Sequence, residues 1–313
     1  MTGRVLVFGS LNVDVTFEVR RIPAVGETIV ADAVRRAPGG KGANQAHAAA
    51  RTARGAPVLM AGAVGTDEAG AQLRADLAAV GVDVSLVREV DGVSGTAMIA
   101  VDRDGGNVII VAPGANHEWD GMPDVPVAAG DVVVLQLELP LPVVEHVARA
   151  ASLAGARVVL NAAPVTPGAD RLLPWSEILV VNEIEAAELL ALDADALAGD
   201  AIRAAARRHA VDLIVTLGEE GAVVVTRQGD LTRLPALPVT AIDTVGAGDA
   251  FVGALAASLA AGDELAVAAR RGSAAGALTV TAPGARHPDL SSAGIEDLLR
   301  RHSLPDSPAE EPS

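Results

Sequence analysis

A short glycine-rich stretch followed by an aspartate is the part of this sequence best suited to chemistry. It reads Asp-Thr-Val-Gly-Ala-Gly-Asp-Ala-Phe over residues 243–251, and a helix is predicted to follow it. Gly246, Ala247 and Gly248 let the backbone approach a ligand, and the first N–H groups of a helix are unpaired and carry partial positive charge. Asp249 lies in the first turn, where the helix dipole favours the ionised carboxylate. An anion site beside a carboxylate base suits phosphoryl transfer to an alcohol.

The glycine-rich stretches also permit simpler or different interpretations. The stretch around Asp249 fits an ordinary helix start, with glycine in the turn and aspartate as a common first-turn residue. A dinucleotide-binding dehydrogenase is disfavoured, because Phe251 stands where a Gly-x-Gly-x-x-Gly motif needs its third glycine. A P-loop at residues 38–46 is excluded, because Gly42 rather than Ser or Thr follows Lys41.

The second glycine-rich stretch, Pro-Gly-Gly-Lys-Gly-Ala-Asn-Gln-Ala, leads into a predicted helix over Ala43 to Ala53. Lys41 and Asn44 lie at the N-terminal end of that helix, which favours contacts with hydroxyl or anionic groups. A purely structural cap explains Asn44 less well, because neighbouring glycines weaken a cap. We therefore expect a substrate-binding element over Gly40, Lys41, Gly42, Ala43 and Asn44.

Polar residues follow two predicted buried strands at their carboxyl ends, where ligands bind in open α/β sheets. Asn12 and Asp14 come after the strand Val5 to Phe8, and Glu138 follows a strand over residues 131–137. A carboxylate so close to apolar residues needs a partner. An Asn/Asp turn and a solvated strand-end glutamate are the structural alternatives.

Asn182 and Glu185 have two compatible roles. They follow a predicted strand over Ile178 to Val181, with the spacing of a helix capping box. Positions i and i+3 also share one helix face, so both side chains can reach one Mg²⁺–phosphate group, with Glu185 acting through metal-bound water.

Strands and helices alternate along most of the chain, which favours a parallel sheet with helices on both faces. The pattern predicts strands over Val58 to Ala63, Val158 to Leu160, Asp212 to Thr216 and Ala222 to Thr226, and helices over Glu68 to Val80, Val143 to Leu153, Ala250 to Ala261 and Leu265 to Val280. Residues 14–38 and 95–111 depart from this alternation of strands and helices. Their apolar residues alternate with polar ones over short stretches, which is typical of β-strands, and the second segment has a hairpin turn at residues 102–106. The tail over residues 303–313, rich in Pro, Ser and Glu, is expected to be disordered.

The composition restricts the function classes. A net charge of −16 disfavours a nucleic-acid partner, and the absence of Cys excludes disulfides and thiolate catalysis. The six His residues lack a zinc-like spacing, so any metal is expected to have oxygen ligands. No uncharged apolar run reaches the roughly 18 residues of a membrane span, and the N-terminus lacks a signal-peptide core. We expect a soluble, cytoplasmic protein without a membrane partner.

The motifs at residues 243–251 and 38–46 closely resemble the two signatures of the PfkB-type, or ribokinase, family of carbohydrate kinases. The resemblance runs over nearly the whole chain, from Val5 to Leu299. It implies an α/β fold: a three-layer α/β/α domain with a mainly parallel central sheet, and a small β-sheet lid over the sugar. The implied core comprises residues 1–13, 39–94 and 112–302, and the implied lid comprises residues 14–38 and 95–111. The lid also builds a dimer interface in ribokinases, so a homodimer is expected, which would cover edge strands prone to aggregation.

The resemblance also implies roles for residues that match the family's motifs. The positions matching sugar ligands are Asn12, Asp14, Gly40, Lys41, Gly42, Ala43, Asn44, Glu138 and Asp249. The positions matching the ATP site are Asn182, Thr216, Leu217, Gly218, Glu219, Glu220, Gly221, Gly248, Asp249 and Ser273. Glu185 matches a Mg²⁺ position, and an activating K⁺ is expected at Asp243, Val245, Thr279, Ala282 and Gly284. The family commonly has Ser where this chain has Pro288, so one ligand position of the K⁺ site departs from the pattern.

These matches imply an ATP-dependent sugar kinase, and the Gly-Gly-Lys-Gly-Ala-Asn-Gln run favours ribose, phosphorylated at its 5-hydroxyl. Asp249 is expected to accept the hydroxyl proton, while backbone N–H groups of Ala247 and Gly248 stabilise the phosphoryl charge. Deoxyribose, a nucleoside such as adenosine, or a hexose remain alternative acceptors, although a sequence with no Tyr and three Phe weakly disfavours base stacking. A non-catalytic sugar-binding protein would be expected to lose Asp249 or its glycines, and the sugar-site motifs disfavour an ATPase acting on water.

Overall fold

Thirteen strands and eight α-helices make up the part of the chain that the computed structural model describes, residues 3–103, 105–192 and 196–302. The strands are β1 (Val5–Phe8), β2 (Asn12–Glu18), β3 (Ala33–Gly39), β4 (Val58–Gly65), β5 (Asp83–Val90), β6 (Gly95–Val101), β7 (Asn107–Ala112), β8 (Val132–Leu135), β9 (Arg157–Asn161), β10 (Ile178–Asn182), β11 (Asp212–Thr216), β12 (Ala222–Val225) and β13 (Leu231–Leu234). The helices are α1 (Lys41–Thr52), α2 (Glu68–Ala79), α3 (Leu141–Leu153), α4 (Glu183–Leu190), α5 (Asp200–His209), α6 (Ala247–Ala260), α7 (Leu265–Thr279) and α8 (Ser292–Arg301), with 3₁₀ turns at Gly114–His117, Ala169–Trp175, Ala196–Ala198 and Gly218–Glu220. The expected disordered tail and residue Asp104 of the predicted hairpin turn lie outside these ranges.

Nine strands form the central sheet, in the order β13-β12-β11-β10-β9-β8-β1-β4-β5. The pairs β11–β12 and β12–β13 are antiparallel, and the other pairs are parallel. The interior strand β1 pairs Val5 with Val58 on one side and with Val132 on the other. Such strands are near-continuous apolar runs because helices cover both faces. Their parallel course brings the polar residues that follow them to one edge of the sheet.

Helices cover the two faces of the sheet in separate layers. Helices α1, α2, α6 and α7 pack on one face, where Val5, Val7 and Leu255 belong to one buried apolar cluster. Helices α3, α4 and α5 pack on the other face, with Leu6 and Phe8 in a second cluster. In the described ranges, no helix is both long and apolar enough to cross a membrane.

A second, smaller sheet of four strands contains the segments that the sequence predicts as a lid, in the order β3-β2-β6-β7, and is called the lid below. Strand β2 pairs antiparallel with β3 and parallel with β6, so the two β-like segments of the sequence join into one sheet. The edge strand β7 leaves its apolar side chains 43–62% exposed, those of Val108, Ile109, Ile110 and Val111. The lid therefore has an apolar edge without cover in the single chain.

The predicted fold class is confirmed, with shifts at the ends of several elements. Helix α6 begins at Ala247 rather than at the predicted Ala250, because the chain already turns at Gly246. The strand predicted over residues 131–137 ends at Leu135, so the two residues before Glu138 have left the sheet. The sequence does not predict β5 and β13, which are edge strands with many exposed residues and no continuous apolar run.

Candidate active site

Asp249 is buried in the first turn of α6 and is held by two side-chain amides from α1. Nδ2 of Asn44 donates to Oδ2 of Asp249 at 3.1 Å, and Nε2 of Gln45 donates to Oδ1 at 3.0 Å. The carboxylate is 7% exposed. Both oxygens thus accept a hydrogen bond, which fixes the direction in which the carboxylate faces.

Each of these two amides is oriented by a further donor. Nε of Arg286 donates to Oδ1 of Asn44 at 3.0 Å, and Nε2 of Gln136 donates to Oε1 of Gln45 at 2.6 Å. Gln45 also donates to Oδ1 of Asn161 at 3.0 Å. Because the oxygen of each amide already accepts from another group, its N–H₂ end must face Asp249.

The turn before Asp249 is built for backbone contact with an anion. Gly246 has a φ of 76°, and a Cβ at this position would lie 2.5 Å from Cα of Ala285. A Cβ on Gly248 would meet nothing within 4 Å, so space is open beside it. Among the described residues, no backbone acceptor pairs with the N–H groups of Gly248 and Asp249. The N–H of Ala247, which the sequence predicts for an anion site together with that of Gly248, instead donates to the carbonyl of Thr244 at 3.4 Å. Free N–H groups at a helix start can bind an anion, and here they belong to Gly248 and Asp249.

Glu138 lies against the start of α1, where the sequence predicts sugar contacts. Its Oε2 accepts from the backbone N–H of Lys41 at 3.0 Å and from the hydroxyl of Ser10. Gly40 has a φ of 87°, and a Cβ there would lie 2.8 Å from the backbone nitrogen of Asn12. The glycine therefore lets the loop pass close to the strand that carries Asn12. The second oxygen of Glu138 remains available for a ligand hydroxyl.

Asp14 and Asn12 lie on β2, at the base of the lid. Burial raises the pKa of Asp14 to about 6, Glu138 and Asp249 act in the same direction, and Arg286 opposes them. These four groups therefore share one electrostatic environment. Asn12 is nearly fully buried, and its Oδ1 accepts from Nδ2 of Asn116 at 2.7 Å.

Lys41 is surrounded by carboxylates from both halves of the candidate site. Burial alone would lower its pKa, but Asp249, Glu138 and Glu185 outweigh burial and raise it. Lys41 is therefore a stable cation between the predicted sugar and phosphate positions. Burial also raises the pKa of Glu185, and Lys41 opposes this effect.

Asn182 and Glu185 form the capping box that their spacing predicts. Oδ1 of Asn182 accepts from the backbone N–H of Glu185 at 2.8 Å, and Oε2 of Glu185 accepts from the backbone N–H of Asn182 at 2.9 Å. Asn182 is also paired with Thr216 on the neighbouring strand. Thr216 leads into the turn at Gly218–Glu220, closed by a bond from the N–H of Leu217 to the carbonyl of Gly221 at 2.8 Å. The predicted phosphate and nucleotide residues thus follow adjacent strands.

The predicted cation-binding stretches meet at Asp243. Its Oδ2 accepts from the backbone N–H of Gly284 at 2.8 Å, and its Oδ1 accepts from the N–H of Val245 at 3.0 Å. Thr279 is fully buried, and its hydroxyl donates to the carbonyl of Ala275 inside α7 at 2.9 Å. The carbonyl of Thr279 accepts from the N–H of Ala282 at 3.4 Å. The described residues hold no cluster of three or more His, Cys, Asp or Glu side chains arranged for a metal.

Ser273 lies on α7, one turn before Gly276. Gly276 packs against the turn at residues 246–248, which is called the anion-binding turn below. A Cβ on Gly276 would lie 3.1 Å from the carbonyl oxygen of Ala247. The hydroxyl of Ser273 is buried and has no hydrogen-bond partner among the described residues. A buried hydroxyl without a partner fits the predicted contact with a nucleotide.

Sequence reasoning does not find six polar residues of this site: Ser10, Gln45, Asn116, Gln136, Asn161 and Arg286. Gln45 carries a usable signal, because it directly follows Asn44 in the glycine-rich motif. The other five carry none, because their contacts join segments far apart in the chain.

Comparison with known proteins gives the class of protein that this fold and site define. A family model described as "pfkB family carbohydrate kinase" matches residues 2–292. The chain therefore belongs to the pfkB family of carbohydrate kinases, and it is an ATP-dependent phosphotransferase that acts on an alcohol group.

Particular relatives are similar over nearly their whole length. Ribokinase from Haemophilus influenzae is 36% identical over 294 residues, which cover 91% of this chain and 95% of that protein. Deoxyribokinase from Salmonella typhi is 35% identical over 291 residues, which cover 90% and 93%. The structure of Arabidopsis thaliana ribokinase complexed with ribose and ATP matches with a TM-score of 0.84 at 30% identity, covering 96% of this chain and 99% of that one.

Proposed function

We propose that this protein transfers the γ-phosphoryl group of ATP to the 5-hydroxyl of D-ribose, with Asp249 as the catalytic base. The observation that carries this proposal is the position of Asp249: a buried carboxylate, fixed at both oxygens, one residue after the free N–H of Gly248. Similarity to ribokinases, one of them solved with ribose and ATP, supports ribose as the acceptor.

The sugar is bound between the lid and the start of α1. Asp14, Asn12 and Glu138 present oxygens to sugar hydroxyls, and the loop from Gly40 to Asn44 contributes backbone groups. The free oxygen of Glu138 supports this role, because its other oxygen is already held by Lys41 and Ser10. Lid closure would exclude water, which otherwise competes with the sugar as acceptor.

Phosphoryl transfer then needs one proton acceptor and one anion site. The carboxylate of Asp249 takes the proton of the hydroxyl, whose oxygen forms a bond to the γ-phosphorus. The bond between that phosphorus and the β–γ bridging oxygen breaks, and ADP leaves. The free N–H of Gly248 and the cation of Lys41 stabilise the charge on the transferred group.

Two metal ions belong to the proposal. Glu185 and Asn182 would hold Mg²⁺ with the ATP phosphates, and bound Mg²⁺ neutralises phosphate charge. The meeting of residues 243–245 with residues 282–284 supports a K⁺ site built from backbone carbonyls. The nucleotide itself would contact the turn over residues 216–221 and Ser273.

A homodimer through the lid is also proposed. Val108 and Ile110 lie on one face of the edge strand β7 and Ile109 and Val111 on the other, and all four are 43–62% exposed. A second lid packed on this strand would cover apolar area and pair its open edge. A cytoplasmic location stays a prediction of the sequence.

The experiment that tests the function is a kinase assay with ATP and Mg²⁺ against D-ribose, 2-deoxyribose, fructose, adenosine and a blank without sugar. Ribose-dependent ADP formation is expected, together with a lower rate when Na⁺ replaces K⁺. Asp249→Asn should lower kcat by about 10²- to 10⁴-fold, the usual share of a positioned base. Asp120→Asn is the matched control, because Asp120 is exposed in a loop.

The panel also separates the rival acceptors. Deoxyribose is the second candidate, because a deoxyribokinase is 35% identical to this chain. A higher kcat/KM for 2-deoxyribose or adenosine than for ribose would overturn the choice of substrate. Retention of most activity by Asp249→Asn would overturn the assignment of the base.

A further inference from the structure

Arg286 lies beside the candidate base although no motif of the sequence points to it. Its Nε donates to Oδ1 of Asn44, which in turn donates to Oδ2 of Asp249. The order of these bonds matters, because an amide has one acceptor end and one donor end. With Arg286 on its oxygen, Asn44 can only present N–H to the carboxylate.

The loop that carries Arg286 also supports the anion-binding turn. Ala285 packs so closely on Gly246 that a Cβ on Gly246 would lie 2.5 Å from its Cα. The preceding residue, Gly284, donates to Asp243 at 2.8 Å. Three consecutive residues of one loop thus have three different partners. Gly284 contacts Asp243, Ala285 contacts Gly246, and Arg286 contacts Asn44, the amide that holds the base.

Arg286 is half-buried, and Asp76, Asp14 and Asp249 are the carboxylates that act on its charge. Burial lowers its pKa to about 10, against the opposing effect of Asp76, Asp14 and Asp249, so the guanidinium stays a cation at neutral pH. Its Nη2 is buried and has no hydrogen-bond partner among the described residues. A half-buried cation with a buried donor left unpaired costs stability, and such departures from good packing are expected at functional sites.

We propose that Arg286 is a positioning residue for phosphoryl transfer: through Asn44 it fixes the direction of the Asp249 carboxylate, and its cation offsets the negative charge gathered around the reacting hydroxyl. The inference rests on the proposed function, in which Asp249 is the base. Arg286 then affects the chemical step more than the binding of sugar, because its hydrogen bond ends on the amide that holds the base.

The first test compares Arg286→Met and Arg286→Lys with the wild type. Arg286→Met is expected to lower kcat by about 10- to 100-fold, the cost of a slightly misplaced group, with little change in the KM for sugar or ATP. Its melting temperature should not fall, because the substitution removes a desolvated cation. Arg286→Lys keeps the charge without the planar guanidinium and should recover part of the activity. Arg270→Met, at an exposed arginine on α7, is the control and should match the wild type.

The second test asks whether Arg286 acts through Asn44. Adding Arg286→Met to Asn44→Ala should lower kcat by a clearly smaller factor than Arg286→Met does in the wild type, because residues in one hydrogen-bond chain are not additive and only the effect of the charge remains. Fully multiplicative losses, a wild-type kcat in Arg286→Met, or a kcat loss accompanied by a large drop in melting temperature would each overturn the proposal. Failure of the wild type to phosphorylate any sugar would instead count against the proposed function.

Discussion

Nε2 of Gln45 donates to Oδ1 of Asp249 at 3.0 Å and so joins the helix after the first glycine-rich loop to the helix that carries the base. The two helices, α1 and α6, pack along much of their length. Since the neighbouring Asn44 holds the second oxygen, two consecutive residues of α1 fix the whole carboxylate.

Gln45→Ala is expected to reduce both stability and kcat. The change removes one donor from Asp249 and leaves the buried amides of Asn161 and Gln136 without their partner. A buried unsatisfied group costs about 1–3 kcal/mol, so urea unfolding should show a loss of at least this size. Gln72→Ala, at an exposed position on α2, is the control and should leave both quantities near the wild-type values.

Glu138→Gln is expected to raise the KM for sugar more than it lowers kcat. Glutamine preserves the volume, but it weakens the bonds from Ser10 and Lys41 and replaces a charged acceptor of sugar hydroxyls by a neutral one. The loss corresponds to about 1.5–3 kcal/mol of binding, measured as the Kd for ribose by calorimetry. Glu264→Gln changes an exposed glutamate and should bind ribose normally. An unchanged Kd in Glu138→Gln would remove this residue from the sugar site.

Sugar binding is expected to weaken as the pH falls through about 6, the value to which burial raises the pKa of Asp14. The ionised carboxylate accepts hydroxyl hydrogen bonds, and protonation removes that acceptor below the pKa. With a pKa near 6, the ionised fraction drops about tenfold between pH 7 and pH 5, and the affinity should follow it. Asp14→Asn should bind more weakly at pH 7 and lose this pH step. A step of equal size in Asp14→Asn would assign the titration to another group.

Ile110→Glu is expected to convert a dimer into a monomer. Ile110 is 62% exposed on the edge strand of the lid, and a glutamate there would be buried without a partner if a second lid covers it. Light scattering coupled to size-exclusion chromatography measures the mass. The control is Val267→Glu, at an apolar residue of α7 that is 50% exposed and outside the lid. A wild-type protein that elutes as a monomer would refute the lid dimer directly.

Local signals in the sequence are sufficient for the frame of this protein. The continuous apolar runs of β1 and β8 predict buried parallel strands, and the glycine-rich stretches predict the starts of α1 and α6. The capping box of Asn182 and Glu185 is likewise a relation between neighbours in the chain. Each of these signals depends on residues within one turn or one strand, so the sequence by itself determined the fold class and the position of Asp249.

Only the tertiary structure decided how the base is held. Asn44 and Arg286 are 242 positions apart, and Gln45 and Gln136 are 91 positions apart. No sequence motif and no regular spacing reveals either pair. Their contacts form only when α1, the residues after β8 and the loop after α7 pack around the carboxylate of Asp249. Whether two such residues form a hydrogen bond depends on where the packed helices and strands place their side chains. That placement is a property of the whole fold rather than of any one segment.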